Sequence, residues 1–138
     1  MIIVIRISGL VEIPKDVQET LYRMRLRKKY TAILLKETEE NIKLLKVIRN
    51  FVAYGKINDE TLSLLLQKRA KSSNKAKIEP KTIIEQLKNK NLSDIGIKPF
   101  FGLHPPRSGI DSKIHFPIKK GVLGDNKEKI NDLVRRML

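Results

Sequence analysis

The sequence predicts an α+β protein whose first half is a split β-α-β, ferredoxin-like unit, in which a three-stranded sheet carries two helices on one face. Three observations favour this class. Segments rich in β-branched residues alternate with segments of helical periodicity over residues 1–57. Capping and turn-forming residues separate these segments. After residue 57 the pattern changes, which predicts a mainly helical and loop extension over residues 58–138 that packs on the core.

Residues 2–35 predict the first strand, the first helix and the second strand. Residues 2–10 are rich in Ile and Val, which is typical of a buried strand. Pro14 stands where the first turn of a helix tolerates proline, and Val17, Leu21 and Met24 follow at helical spacing. Residues 30–35 are again β-branched and aliphatic, so we expect the second strand there.

The second helix and the third strand follow. Thr38 is a good N-cap, and Glu39 and Glu40 suit the positive end of the helix dipole. An apolar face then runs from residue 44 to residue 52. We expect Gly55 to end this helix and residues 53–57 to supply a short third strand.

The extension is expected to contain three helices. One opens at Asn58 or Asp59, one begins at Pro80, and one follows Asp125 and Glu128, whose spacing is that of a capping box. The glycines within residues 121–124 are expected to form a turn before the last helix. Four of the six prolines lie within residues 98–120, so no regular helix is expected there. Residues 68–77 carry five positive charges and no negative one, which predicts a mobile loop.

The charge balance indicates a polyanionic partner. The 138 residues include 29 Lys and Arg against 15 Asp and Glu, which gives a net charge of +14 and a pI near 10.1. A basic enzyme or a heat-adapted surface is the alternative, but an excess of one sign favours nucleic acid. The absence of cysteine excludes disulfides, thiolate metal sites and a cysteine nucleophile.

No set of residues suggests catalysis or metal binding. A metal site needs three or four ligands, whereas His104 and His115 are the only histidines, and stacking on bases or backbone hydrogen bonding is the favoured role of both rings. Ser108 lies near His104 but lacks the strand-turn-helix setting of a nucleophile. We therefore expect no enzymatic activity, metal or cofactor. No run reaches the roughly 18 apolar residues of a membrane span, so no membrane partner is expected.

Four basic clusters are the candidate functional features. The first, residues 23–29, holds five Lys or Arg at the end of the first helix, more than the helix dipole requires. The second is the loop of residues 68–77. The third spans residues 104–120 and interleaves aromatic rings with cations, which suits RNA loops whose bases stack on side chains. The fourth is the Arg135-Arg136 pair. Phe100 and Phe101 are expected in the core. Clusters spread along the chain suit contact with several RNA segments better than readout of one DNA site.

Several different short motifs follow one another in a characteristic order along the chain. In the first half they are Val4-Ile5-Arg6-Ile7-Ser8-Gly9, Pro14-Lys15, Thr20-Leu21 and Arg25-Leu26-Arg27. In the second half they are Leu65 to Arg69, Lys98-Pro99-Phe100, Pro106-Arg107, His115-Phe116, Gly124-Asp125 and Ile130 to Met137. Together they resemble the L-thirty family of large-subunit ribosomal proteins, whose eukaryotic members are called L-seven. The resemblance covers essentially the whole chain and is to the archaeal form, since bacterial members end near residue 57.

The resemblance implies a split β-α-β fold, binding to ribosomal RNA and no enzymatic activity. It also implies that the Arg-rich end of the first helix and the Pro-Arg and His-Phe region face RNA. The candidate RNA-binding residues are Arg6, Lys15, Arg23, Arg25, Arg27, Lys28, Lys29, Lys68, Arg69, His104, Arg107, His115, Arg135 and Arg136.

The favoured hypothesis is a structural constituent of the large ribosomal subunit in the cytoplasm. It would bind ribosomal RNA and neighbouring ribosomal proteins, and it would support subunit assembly and translation. The alternative is a free regulatory or architectural protein that binds nucleic acid. A ligand-binding or hydrolytic domain of similar topology is a third hypothesis, which lacks a nucleophile–base pair to support it, so no small-molecule substrate is expected.

Overall fold

The computed structural model describes residues 1–7, 13–69, 80–87, 100–105, 112–115 and 121–138. The strands are β1 (Ile2–Arg6), β2 (Thr31–Leu35), β3 (Val52–Lys56), β4 (Phe101–Gly102), β5 (Ser112–His115) and β6 (Gly121–Asp125). The helices are α1 (Lys15–Arg23), α2 (Glu39–Ile48), α3 (Asp59–Arg69), α4 (Pro80–Leu87) and α5 (Ile130–Met137). A 3-10 turn (Lys127–Lys129) precedes α5.

β1 is the central strand of the predicted split β-α-β unit. It pairs antiparallel with β2 on one side and with β3 on the other, so that Val4 lies opposite both Ile33 and Tyr54. All five residues of β1 are buried, because both faces of the sheet are covered. A strand covered on both faces is a continuous apolar run rather than an alternating one, which is how the sequence identified it. The predicted fold class is confirmed.

The two faces of the sheet belong to two separate apolar clusters. On one face Val4 and Ile33 share a buried cluster with Leu21 of α1 and with Leu45 and Ile48 of α2. This arrangement confirms that two helices pack on one face of the sheet. The opposite face carries Ile3, Ile5, Ala32 and Ala53, which share a cluster with residues of α3, α4, β4 and α5. Helices therefore cover both faces of the sheet in three layers.

The extension differs from the expected helical and loop segment because it also adds three strands to the sheet. The strand order is β4-β2-β1-β3-β6-β5. β4 pairs antiparallel with β2, while β6 pairs parallel with β3 and β5 pairs parallel with β6. Within the described ranges the sheet therefore has six strands, and the three predicted from residues 1–57 are consecutive in it.

Gly55 lies within β3 and does not end the second helix, so that expectation is wrong. The helix ends at Ile48, seven residues earlier. A Cβ on Gly55 would lie 2.9 Å from the Cβ of Ile130 and would clash with the carbonyl oxygen of Lys127. The glycine therefore lets the 3-10 turn and α5 approach β3 closely.

The predicted capping box at Asp125 and Glu128 is also wrong. Asp125 ends β6, and neither Asn126 nor Lys129 caps the following turn or helix with its side chain. Instead the Asn126 amide donates to the carbonyl of Tyr54 at 2.7 Å, which holds the chain beside β3 until the 3-10 turn begins. The glycines of residues 121–124 accordingly belong to β6 and not to a turn, although Gly124 has a φ of 88°.

The predicted N-caps of α2 and α3 are confirmed. The Thr38 hydroxyl accepts a hydrogen bond from the Asn41 amide at 3.3 Å, and Asn58 Oδ1 accepts one from the Thr61 amide at 2.8 Å. The Asn58 amide in turn donates to Asn131 Oδ1 at 3.0 Å, which links the start of α3 to α5.

Candidate nucleic-acid interface

The first basic cluster lies on a tight turn that ends α1. The Leu26 amide donates to the Leu21 carbonyl at 2.9 Å, and the Arg25 amide donates to the Tyr22 carbonyl at 3.1 Å. These two bonds, with Leu21 and Leu26 buried in the same apolar cluster, define a Schellman C-cap. The motif requires one left-handed residue, which is usually glycine. Here Arg25 takes that conformation, with a φ of 66°, and its side chain is exposed.

Arg6 packs beneath this turn and is buried, whereas its predicted contact with RNA stays a prediction. Its residue surface is 3% exposed, and Nη1 donates to the Leu26 carbonyl at 2.7 Å. The Arg6 carbonyl accepts a hydrogen bond from the Tyr30 amide at 2.7 Å. Desolvation lowers the pKa of the Arg6 guanidinium from its usual value. Arg6 therefore holds both ends of the segment from Leu26 to Tyr30.

The remaining cations of residues 23–29 are exposed, and aromatic rings orient two of them. The guanidinium carbon of Arg27 lies 4.2 Å from the centroid of the Tyr22 ring. Lys29 Nζ lies 5.0 Å from the centroid of the Tyr30 ring. Both distances are within the range of cation–π attraction. Because Tyr22 is 59% exposed, Tyr22 and Arg27 form a flat stacked pair at the surface.

A cleft beside this turn brings two of the predicted clusters together. The cleft, of about 430 Å³, is lined by Arg25, Arg27, Lys28, Thr31, Arg69, Phe100 and Gly102. We call these seven residues the basic cleft. Arg69 ends α3, and Gly102 pairs with Thr31 across β4 and β2, so the extension supplies one wall of the cleft. The sequence placed Arg25 and Arg69 in different clusters, and only the folded chain shows that they line one site.

Phe100 is part of the basic cleft rather than of the core. It is 40% exposed, whereas Phe101 is fully buried between β2 and the helices of the extension. The expectation that both rings are in the core is therefore correct for Phe101 and wrong for Phe100. The signal was present in the sequence, because adjacent residues of a strand point to opposite faces, and only one of the two rings can face the core.

Arg69 contributes an incompletely satisfied guanidinium to the cleft. Its Nε is buried and has no hydrogen-bond partner among the residues that the structure describes. The neighbouring Lys68 is exposed in the same last turn of α3, where a cation is also favoured by the helix dipole. Both residues are helical, so the predicted loop of residues 68–77 is wrong at its first two positions. The rest of that loop lies outside the described residues.

Other predicted residues lie elsewhere on the surface. Lys15 is exposed at the start of α1 and Arg23 at its end. His104 is exposed, and its amide donates to the Met137 carbonyl at 3.0 Å, which places it beside the end of α5. Arg135 and Arg136 lie in the last turn of that helix, and Arg135 Nη2 is 3.6 Å from Glu60 Oε2. Arg107 is outside the described residues, and His115 is described only as part of β5.

The described part of the chain shows no metal centre. No group of three or more His, Asp or Glu residues within those ranges is placed to hold a metal ion. No helix among them is long and apolar enough to span a bilayer.

A larger cavity of about 650 Å³ lies between α2 and the 3-10 turn, with Ile2, Leu45 and Tyr54 in its lining. That lining also contains four lysines, but Glu37 and Glu128 lie among them. The described lining of the basic cleft joins its cations to the Phe100 ring without a carboxylate.

Comparison with known proteins identifies the family of this chain. Residues 2–52 match the family model of ribosomal protein L30p/L7e. Three similar proteins, each named large ribosomal subunit protein uL30, come from Archaeoglobus fulgidus, Aeropyrum pernix and Methanobrevibacter smithii. They are 33%, 32% and 31% identical to this chain, respectively. The alignments cover 99%, 98% and 100% of this chain and 99%, 97% and 100% of the relatives. Since these relatives match it almost from end to end, this chain belongs to the ribosomal protein L30p/L7e family.

Proposed function

We propose that this chain is a structural constituent of the large ribosomal subunit and binds ribosomal RNA through the basic cleft and the exposed cations around it. The observation that carries the proposal is the convergence of Arg25, Lys28 and Arg69 on one exposed cleft, although β2, α2 and β3 separate Arg69 from the other two along the chain. Its relatives bear the name of a large-subunit protein, and the family is structural rather than enzymatic.

The geometry suits recognition of a folded RNA backbone. Exposed guanidinium and ammonium groups neutralise phosphates and release condensed counterions, which gives affinity without sequence readout. The Tyr22–Arg27 stack and the Schellman turn hold two of these charges in place before RNA arrives, so less side-chain freedom is lost on binding. The net charge of +14 also opposes compaction of the protein alone, and RNA phosphates offset that repulsion.

The partners that follow are large-subunit ribosomal RNA and neighbouring ribosomal proteins, in the cytoplasm. The cations lie on α1, on the turn after it, on α3 and on α5. A protein that reads one DNA site places its base contacts on a single recognition element, so the distribution favours the ribosomal role over a free regulator. This role supports subunit assembly, because one small protein bridges several RNA segments.

Replacing Arg25, Arg27 and Lys28 together with alanine tests the proposal. We expect the slope of log K against log salt concentration for large-subunit ribosomal RNA to become shallower by about 2–3, since three phosphate contacts are lost. Wild-type affinity should fall by orders of magnitude between about 50 and 200 mM salt. Filter binding over that salt range measures both quantities.

The matched control removes three exposed cations from α2 and its flanks, as Lys36→Ala, Lys43→Ala and Arg49→Ala. This control loses the same net charge and should retain most of the wild-type affinity and salt slope. Equal losses in the two triple variants would show that only net charge matters and that the basic cleft is not the interface. Sedimentation of tagged wild-type protein in cell extract should place it with large subunits, from which high salt releases it. Its absence from those particles would favour the free regulator.

A further inference from the structure

We propose that the basic cleft holds one unpaired nucleotide, with its base stacked on Phe100 and its phosphate bound by Arg25, Arg27 and Lys28. The inference rests on the proposed RNA-binding function and deepens it. It specifies that this surface takes a bulged or looped-out nucleotide rather than a continuous duplex.

The size of the cleft suits one nucleotide. Its volume of about 430 Å³ lies within the roughly 300–1,000 Å³ of cavities that enclose small ligands. An RNA duplex keeps its bases stacked inside and offers mainly phosphates and 2′-hydroxyls, so it would contact the rim and leave the cavity empty. A base that has left the helix is the part of RNA that can enter a cavity of this size.

The lining combines the two chemistries that a nucleotide needs. Phe100 presents an aromatic ring that is 40% exposed and that no apolar neighbour covers completely. Four cationic side chains, those of Arg25, Arg27, Lys28 and Arg69, line the same cleft, and no carboxylate is among the described residues of its lining. A planar base stacks on an aromatic ring, and a phosphate binds to guanidinium and ammonium groups.

Arg69 adds an unsatisfied hydrogen-bond donor to the wall of the cleft. Its Nε is buried without a hydrogen-bond partner among the described residues, and its side chain lines the cleft. A buried N–H that makes no hydrogen bond is unfavourable, and the great majority of such groups in folded proteins are satisfied. An oxygen that enters the cleft can accept this hydrogen bond once the Arg69 side chain shifts to expose the donor.

The Tyr22–Arg27 stack favours RNA over an acidic peptide as the occupant. Arg27 lines the cleft, and its guanidinium also lies 4.2 Å from the centroid of the exposed Tyr22 ring. The site therefore offers two flat surfaces, Phe100 and the Tyr22–Arg27 pair, connected by cations. Consecutive bases of a single strand stack on such surfaces. A glutamate-rich peptide has charge but no planar groups to place on them.

The test uses the full chain and large-subunit ribosomal RNA purified from Archaeoglobus fulgidus. Ultraviolet crosslinking, ribonuclease digestion and mass spectrometry should find a nucleotide adduct on the peptide that contains Phe100. Phe100→Leu should lower the affinity about tenfold, because one stacking contact is lost. It should leave the salt slope unchanged, because no phosphate contact is lost. A role limited to charge would not separate these two quantities.

Phe100→Tyr is the matched control, since it retains the ring and should retain affinity and adduct. Thermal unfolding shows whether Phe100→Leu is folded. If it is not folded, the wild-type adduct and the tyrosine variant decide whether a base stacks on Phe100. Wild-type-like binding by a folded Phe100→Leu, or the absence of an adduct at Phe100 while RNA still binds steeply with salt, would overturn the nucleotide site alone. Failure of the wild type to bind this RNA would overturn the proposed function as well. Displacement of the RNA by a hepta-glutamate peptide in a Phe100-dependent way would show a peptide site instead.

Discussion

Arg25 occupies a left-handed backbone conformation that costs a non-glycine residue about 1 kcal/mol or more. The Schellman bonds of the turn and the burial of Leu21 and Leu26 hold it there. Glycine would serve the turn better, so the turn alone does not account for an arginine at this position. The RNA-binding role proposed for the basic cleft, which Arg25 lines, would account for a cation here.

Replacing Arg25 with glycine should therefore separate stability from binding. The free energy of unfolding should rise by about 1 kcal/mol as the backbone strain is relieved. RNA affinity should fall, because one phosphate contact is lost. Urea denaturation and filter binding measure the two effects.

Arg25→Ala is the control for the glycine variant. It removes the same charge but keeps a Cβ in the left-handed conformation, so RNA affinity should fall equally while the stability stays close to that of the wild type. A glycine variant that is less stable than the wild type would show that the side chain of Arg25 stabilises the turn and that no strain is stored there.

Single residues also mark where sequence reasoning reaches its limit. Charge gave Arg6 and Arg25 the same predicted role, yet one is buried against the Leu26 carbonyl and the other is exposed. Arg6 lies at the end of β1 and Arg25 in the turn after α1, and composition does not encode this difference. Phe100 and Phe101 could have been separated by strand alternation, but that required knowing that residues 101–102 form a strand at the edge of the sheet.

At the scale of elements, the contact between β3 and the 3-10 turn depends on a missing side chain. Replacing Gly55 with alanine would place a Cβ against Ile130 and the Lys127 carbonyl, and backbone cannot move aside cheaply. We expect a loss of about 1–3 kcal/mol in the free energy of unfolding, measured by urea denaturation.

Gly102→Ala is the matched change for this comparison. A Cβ at Gly102 has no neighbour within 4 Å. The free energy of unfolding of this variant should therefore stay within about 0.5 kcal/mol of the wild-type value. If the two alanine variants were equally stable, the approach of α5 to β3 would not depend on Gly55.

The elements that the sequence predicted are those specified by local interactions. The helices α1 to α4 begin close to a recognisable N-terminal proline or N-cap, and β1 and β2 are apolar runs long enough to identify. There are physical reasons why the sequence did not predict β4 and β6. β4 has two residues and exists only through its pairing with β2, and β6 contains two glycines that weaken its strand propensity. The start of α5 was misplaced because tertiary hydrogen bonding to Tyr54 overrides the local capping pattern.

At the scale of the whole molecule, the extension covers the second face of the sheet. Ile3, Ile5, Ala32 and Ala53 are fully buried, and they pack with residues of α3, β4 and α5. The predicted division at residue 57 therefore separates two parts of the sequence that share one apolar cluster. This arrangement predicts that the first part depends on the second for its stability.

A fragment of residues 1–57 should accordingly fail to form a stable, monomeric fold. Its sheet would expose an apolar face, which promotes aggregation or a loosely packed state. Binding of the dye ANS and loss of near-ultraviolet circular dichroism would reveal that state, with the full chain as the control. A fragment with a cooperative thermal transition and no dye binding would show instead that residues 1–57 are an independent domain.

The central position of β1 has a consequence for how the protein is made. During synthesis β1 leaves the ribosome before either of the strands that flank it, and at about 5–20 residues per second the partner on its second side follows only after several seconds. Until β2 emerges, this run of isoleucine and valine has no hydrogen-bonded neighbour, although α1 can already form locally. Its second edge stays unpaired until β3 follows. The nascent chain therefore leaves β1, an aggregation-prone apolar segment, exposed during this time. We expect a chaperone that holds unfolded chains to bind β1 until β3 emerges.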